Sequence, residues 1–321
     1  MKVIASYNLK GGVGKTTAAV NLAYLSARQG RRTLLWDLDP QGAATYLFRV
    51  KPRVKGGSPK LVRGSRPMLD AIKATDFAHL DLLPADFTYR HMDIDLNDRP
   101  NPQRTLRRLL SPLAAEFDVV ILDTPPSLSL VSENVLRASD VVLVPLIPTV
   151  LSVRTFEQLV AFTAELKGRK PQLRGYFSML DRRRKLHTEI LRDLPSSNPA
   201  VSTIAIPSAS AVEQMTVRRE PLVVFASTSP AAVAFGQLWD EVAGLLKLPA
   251  VEPAEDLARR PNVAGKSRAA GWCACVLTGC RRGVASGGTE RVRADRIAPA
   301  SHMRRDGPGC ADRMAPASHV R

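Results

Sequence analysis

Residues 10–17 read Lys-Gly-Gly-Val-Gly-Lys-Thr-Thr, directly after an apolar run, Val3-Ile4-Ala5, and directly before a helix-like stretch from Thr16 to Arg28. Strand, glycine loop and helix in that order is the setting a phosphate-binding loop requires. Gly11, Gly12 and Gly14 let successive backbone N–H groups turn inward without Cβ clashes and form an anion nest around Val13. The N-terminus of the following helix adds partial positive charge. In such a loop Lys15 reaches the β- and γ-phosphates and the Thr16 hydroxyl ligates Mg²⁺. Leu9 stands where the common pattern has glycine, and a second lysine, Lys10, opens the loop.

The rest of the body fits the same architecture. Apolar, β-rich runs recur at 2–7, 32–37, 80–83, 119–123, 141–146, 175–180 and 201–206, with helical periodicity between most of them, as at 103–115, 152–166 and 229–247. Alternating strands and helices predict an α/β fold, a mostly parallel, doubly wound sheet of the P-loop NTPase type with helices on both faces. Ligands of such sheets sit at the carboxyl ends of the strands, where the loop at 10–15, Asp39 and Asp123 are expected to converge. One domain is expected over 1–249, interrupted at 50–69 by a segment with six basic and no acidic residues, read as an exposed basic loop. Residues 250–321 are rich in Ala, Gly, Arg and Pro, and Ala294–Arg304 nearly repeats as Ala311–Arg321. That composition predicts a disordered, low-complexity basic tail. Its Cys273, Cys275 and Cys280 miss the paired spacing of a zinc site.

Two further blocks complete a family pattern. Leu34-Leu-Trp-Asp-Leu-Asp-Pro-Gln-Gly42 and Val119-Val-Ile-Leu-Asp-Thr-Pro-Pro-Ser127 follow the loop in order. Together with 10–17 they resemble the deviant Walker A ATPases of the ParA/MinD family over roughly residues 1–248, and the Pro40-Gln41 pair leans toward the ParA-like branch. The resemblance implies ATP and Mg²⁺ as cofactors, with the phosphates held by Lys10, Gly11, Gly12, Val13, Gly14, Lys15, Thr16 and Thr17. It implies that Thr16 and Asp123 serve the metal, with Asp37 supporting its shell or acting only as a structural strand-end carboxylate. Asp39 is implied to orient the attacking water, and Asp181 and Pro207 are placed near the adenine. Lys10, by resemblance, reaches across an ATP-dependent homodimer to the partner's phosphates, with Gly11 at the interface. Lys10, Lys15 and Asp39 are thus the expected catalytic set for slow, partner-stimulated hydrolysis.

Charge bears on partners. Residues 1–250 carry 33 basic against 23 acidic side chains, an excess that suits a polyanion. Candidate nonspecific DNA contacts are Arg182, Arg183, Arg184 and Lys185, and Arg218 with Arg219, although Ser208 replaces the arginine that chromosomal relatives often carry after the strand-ending proline. The expected function is a positioning or partitioning ATPase released from DNA by a ParB-like activator or a cargo adaptor. Two alternatives stay open: a MinD-like membrane-positioning ATPase, using the stripe Phe235, Leu238, Trp239, Val242, Leu245 and Leu246, and a ligase-type metabolic enzyme on the same scaffold. There is no run of 18 apolar residues, Met1 leads straight into the first strand, and residues 1–250 lack cysteine. A cytoplasmic protein, nucleoid-associated if it binds DNA, is expected. His79, His91 and His187 show no ligand spacing and are expected at the surface, and Trp36 in the core.

Overall fold

A computed structural model describes residues 1–249, and the tail with its cysteines lies outside the described residues. The strands are β1 (Lys2–Ser6), β2 (Thr33–Asp37), β3 (Lys73–Ala74), β4 (Leu80–Leu83), β5 (Val119–Asp123), β6 (Val141–Leu146), β7 (Gln172–Leu180) and β8 (Val201–Pro207). The helices are α1 (Lys15–Arg28), α2 (Ala43–Leu47), α3 (Gly57–Arg63), α4 (Met92–Asn97), α5 (Thr105–Leu110), α6 (Leu130–Ala138), α7 (Val150–Glu165), α8 (Lys185–Ser197), α9 (Ser210–Arg218), α10 (Leu222–Phe225) and α11 (Pro230–Leu245). The sheet order is β3-β4-β2-β5-β1-β6-β7-β8, parallel throughout except for β3, which pairs antiparallel with β4. All seven strands expected from the sequence are present. The two-residue β3 escapes a sequence reading because Lys-Ala offers no apolar alternation.

Side chains alternate between two cores because successive residues of a strand face opposite ways. Ile4, Leu35, Ile121 and Leu143 pack under α1 and α11, whereas Val3, Leu34, Trp36, Val120 and Leu122 pack on the other face. Burial on both faces explains why β2, β5 and β6 read as unbroken apolar runs. The stripe on α11 is ordinary core: Phe235, Leu238, Trp239, Val242 and Leu246 are buried, and the Trp239 indole N–H donates to Gln29 Oε1 at 2.8 Å. The face that a membrane-lying helix would need is therefore already used. Among the described residues no helix is long and apolar enough to cross a membrane.

Three expectations change. Residues 50–69 are not an open loop, because α3 forms there and Val54, Leu61, Val62 and Met68 are buried. The six basic side chains lie on the exposed side, so the charge reading holds and the loop reading does not. The helix expected over 103–115 is broken into a 3-10 turn at Pro102–Arg104, α5, and a second 3-10 turn at Ser111–Ala115. Pro112 has no N–H to continue the α-helical ladder. His187 is buried, not exposed: its Nδ1 accepts from the Asp181 backbone N–H at 3.2 Å, tying the first turn of α8 to the end of β7, and burial lowers its pKa.

Candidate nucleotide site

Strand register assembles the site. Ser6 pairs with Asp123 and Asp37 pairs with Asp123, so the last residues of β1, β5 and β2 stand side by side at the carboxyl edge of the sheet. The loop at 9–14 leaves this edge from β1 and enters α1. Its conformation demands glycine at two positions: Gly12 has φ +69° and Gly14 has φ +96°, and a Cβ on Gly14 would lie 2.8 Å from Ser178 Oγ. The loop is pinned from behind. The Lys10 N–H donates to Asn8 Oδ1 at 2.9 Å, Asn8 Nδ2 donates to the Pro145 carbonyl at 2.8 Å, and Ser6 Oγ donates to the Lys15 carbonyl at 2.9 Å.

The two lysines have different environments. Lys15 is 6% exposed and folds back so that its Nζ donates to the Lys10 carbonyl at 3.1 Å. Burial lowers its pKa, while Asp123 and Asp39 hold it up. Lys10 is exposed at the mouth of the loop, and its ammonium has no hydrogen-bond or ion-pair partner among the described residues.

Asp123 is fully buried, and neither carboxylate oxygen has a hydrogen-bond partner. Burial raises its pKa well above the usual carboxylate range, helped by Asp37, while the nearby Thr16 hydroxyl and Lys15 act in the opposite direction. A buried, unpartnered carboxylate beside a threonine hydroxyl is costly in a protein without ligands. It is the donor set that a hard cation retaining several waters would satisfy, so the residues fit Mg²⁺. Asp37 is differently placed: its Oδ2 accepts from the Thr45 N–H at 2.8 Å and the Thr45 hydroxyl at 2.7 Å, and Thr45 Oγ1 in turn accepts from the Ala85 N–H at 2.8 Å. Asp37 thereby fixes α2, and only Oδ1, which accepts from the Asp39 N–H at 3.3 Å, faces the site. Asp39 is part-exposed on the loop after β2, with Oδ1 accepting from the Gln41 N–H at 2.9 Å.

Burial pushes the Asp37 carboxyl up to about 6, against the two Thr45 hydrogen bonds, which lower it. A carboxyl whose folded-state pKa exceeds its unfolded value holds its proton better when folded, so its ionisation costs stability as pH rises through the interval from about 4 to 6. Asp37→Asn removes that cost. Thermal melts of nucleotide-free protein are expected to show the variant gaining stability relative to wild type as pH rises from 4 to 7, by on the order of 2 kcal/mol. A difference between the two proteins that does not change with pH would contradict this.

On the far side of α1 a hollow of about 150 Å³ is lined by Gly14, Thr17, Ser178, Pro207, Val212 and Glu213, among others. Its lining combines apolar residues such as Ile206, Pro207 and Val212 with Ser178 and Glu213. Asp181 does not line it. Its carboxylate accepts from Arg183 Nε at 2.9 Å and Nη2 at 3.0 Å, and Arg183 holds its pKa down to about 2. Ser178, Met179 and Glu213 line it instead. Local sequence holds little sign of them, since Met179 enters through a left-handed backbone (φ 54°) at the end of β7.

The candidate basic contacts separate into two kinds. Arg182 is exposed and has no ion pair among the described residues, whereas Arg183 and Arg184 lean on Asp181 and Lys185 lies 3.7 Å from Glu189. Exposed pairs of this sort are weak and can be exchanged for phosphate. Arg218 lies over the Phe225 ring, and Arg219 stacks on Tyr46 while its Nε donates to the Tyr46 carbonyl at 2.9 Å. Arg219 thus joins the end of α9 to α2, a contact that occupies its guanidinium.

With this geometry in place, comparison with known proteins decides the family. An AAA domain family model matches residues 1–174. The sporulation initiation inhibitor protein Soj of Bacillus subtilis is 31% identical over 248 residues, covering 75% of this chain and 98% of that protein. The chain belongs to the ParA/MinD family of P-loop ATPases. Within it, the ParA-like branch is supported by the chromosome partitioning protein ParA of Myxococcus xanthus, 41% identical over 146 residues, 45% of this chain and 52% of that protein. The chain thus spans about half the length of that relative. Among solved structures, a cobyrinic acid a,c-diamide synthase from Mycobacterium smegmatis with bound ATP analogue and magnesium superposes with TM-score 0.65 at 27% identity, covering 79% of this chain and 99% of that one. This ParA-like chain therefore has the expected fold and belongs to the expected family.

Proposed function

We propose that this ParA-like protein is an ATP-dependent dimerising switch that positions or partitions DNA or a large protein cargo. The observation that carries the reading is the contrast between its two loop lysines: Lys15 is buried within its own loop, and Lys10 stands exposed with nothing in its own subunit to serve. Gly11 agrees. It is exposed, has no positive φ, and a Cβ on it would meet only Pro126 Cγ at 3.8 Å, so nothing within the subunit requires glycine there. The same strand edge exposes Leu128, Val150 and Leu151 at 63%, 70% and 63%, apolar surface that a second copy would cover.

In this reading the loop amides and Lys15 hold the phosphates, and Thr17 closes on the inner phosphate. When bound at Thr16 and Asp123, Mg²⁺ neutralises charge on the outer phosphate oxygens. Asp39 orients water toward the γ-phosphate, and the partner's Lys10 adds charge in trans. Asp37 transmits the state of this edge to α2 through Thr45. Loops after Asp39 and Asp123 relax on loss of the γ-phosphate, and the dimer opens. The ATP dimer binds DNA through its basic surface, Arg182 foremost, without sequence preference. A ParB-like activator or cargo adaptor triggers release, and the protein works in the cytoplasm on the nucleoid.

Gly11→Val is expected to leave the monomer's stability within about 0.5 kcal/mol of wild type, since Gly11 is exposed and its Cβ would make only an ordinary contact with Pro126. It is expected to prevent the doubling in mass that wild type shows with a non-hydrolysable ATP analogue and Mg²⁺. Light scattering after size exclusion reads the mass, and a Gly11→Val variant that dimerises with normal affinity removes the interface from this surface. DNA co-sedimentation with ATP against ADP, across a salt series, tests the track: binding specific to ATP and steeply lost with salt is expected. The likeness to the cobyrinic acid synthase supports a second reading, amide-forming ligase chemistry. Turnover that requires a small carboxylic acid and ignores DNA would select it.

A further inference from the structure

A cavity of about 470 Å³ lies away from the nucleotide site. It lies at the opposite, amino-terminal edge of the sheet, against Val3 at the start of β1 and Asp140 just before β6. Two hollows, of about 470 and 240 Å³, share Arg104, Arg107 and Arg169 and form one cleft.

Arg107 and Arg108 lie on α5 and Arg104 ends the 3-10 turn before it, and all three line the cleft. The opposite face of α5 is fixed in the core: Leu106 and Leu110 are buried, and the Leu106 N–H donates to Asn134 Oδ1 at 3.1 Å. The second wall is the end of α6 and the turn before β7. There Arg137 is neutralised by Glu133 at 2.7 Å and donates to the Lys167 carbonyl at 2.8 Å, and Arg169 pairs with Asp140. Asp140 also accepts from the Val3 N–H at 2.7 Å, which holds that wall to the sheet. These acids account for two of the cations. Arg104, Arg107, Arg108 and Lys167 have no acidic partner among the described residues, although they face one cleft from two walls.

Crowding four unneutralised cations is unfavourable for folding alone and favourable for an anion that bridges them. Guanidinium groups match phosphate oxygens two at a time. The cleft is also lined by buried Val3, Leu110 and Ala138, so the cations border a hollow sized for a small anion. We infer that this cleft binds a small oligophosphate anion, two or more linked phosphates, at a site separate from the phosphate loop. It is independent of the dimer switch.

The test is calorimetry on the full chain with its phosphate loop already filled by ADP and excess Mg²⁺, titrated with inorganic triphosphate. One further equivalent is expected to bind, more weakly as salt rises. The double variant Arg104→Gln, Arg107→Gln is expected to bind it about tenfold more weakly or worse, with ADP affinity unchanged and melting temperature not lowered. No heat beyond the filled loop, or equal affinity in the variant, overturns the inference. A short duplex run in parallel separates the other source of phosphate. If triphosphate fails to bind and the variant loses only duplex, the cleft reads nucleic acid and the small-anion site is wrong.

Discussion

Lys10→Ala is expected to lower stimulated ATP hydrolysis by about 10³-fold, the scale of a cation supplied in trans to a phosphoryl-transfer transition state. Binding of a single nucleotide to the monomer should hardly change. Lys10 makes no side-chain hydrogen bond or ion pair among the described residues, and its backbone N–H, which holds the loop through Asn8, survives the substitution. The two readouts separate the trans role from a role in loop folding. A variant that loses nucleotide binding as well would place Lys10 in its own site, and one that keeps the wild-type stimulated rate would make it a bystander. Lys15→Ala, by contrast, should lose binding and turnover together, because its ammonium lies inside the loop.

Gly14→Ala is expected to weaken nucleotide binding by about 10²-fold or more while the rest of the domain stays folded. The left-handed backbone at φ +96° disfavours any Cβ, and that Cβ would lie 2.8 Å from Ser178 Oγ at the junction of the phosphate loop and the hollow beside it. Ser178→Gly combined with Gly14→Ala relieves the clash and leaves the dihedral strain, so partial recovery is expected. Fluorescent-nucleotide titration measures both variants. Near-normal affinity for Gly14→Ala would show that the loop reshapes at little cost, against the rigid cradle described above.

The phosphate loop is legible in sequence because each of its parts is local: a strand, three glycines, a lysine and a helix start within about fifteen positions. Asp123 and Asp39 are legible for the same reason, each following an apolar run. What escapes are features set by chain segments far apart. The Ser178 contact that makes Gly14 indispensable lies 164 residues along the chain, between loop and β7. The hollow beside Gly14 draws on β7, β8 and α9, and Asp181, expected near the adenine, is held by Arg183 two residues on. Helix ends are obscured by prolines, and 50–69 shows its charge but hides its buried valines and leucine among lysines and arginines. Charge counting finds a basic body, yet points to 182–185 and 218–219 and passes over Arg104, Arg107 and Arg108, which become a cluster only when α5 closes on the turn before β7.

The most direct test of the account mixes two inactive variants. Lys10→Ala keeps its own Asp39, and Asp39→Ala keeps its own Lys10, so a mixed dimer contains one complete site only if the lysine acts across the interface. With Mg²⁺, ATP and duplex DNA, an equimolar mixture is expected to recover about a quarter of the wild-type hydrolysis rate, since half the dimers are mixed and each has one intact site of two. A mixture no faster than the average of its two parents would contradict the shared site.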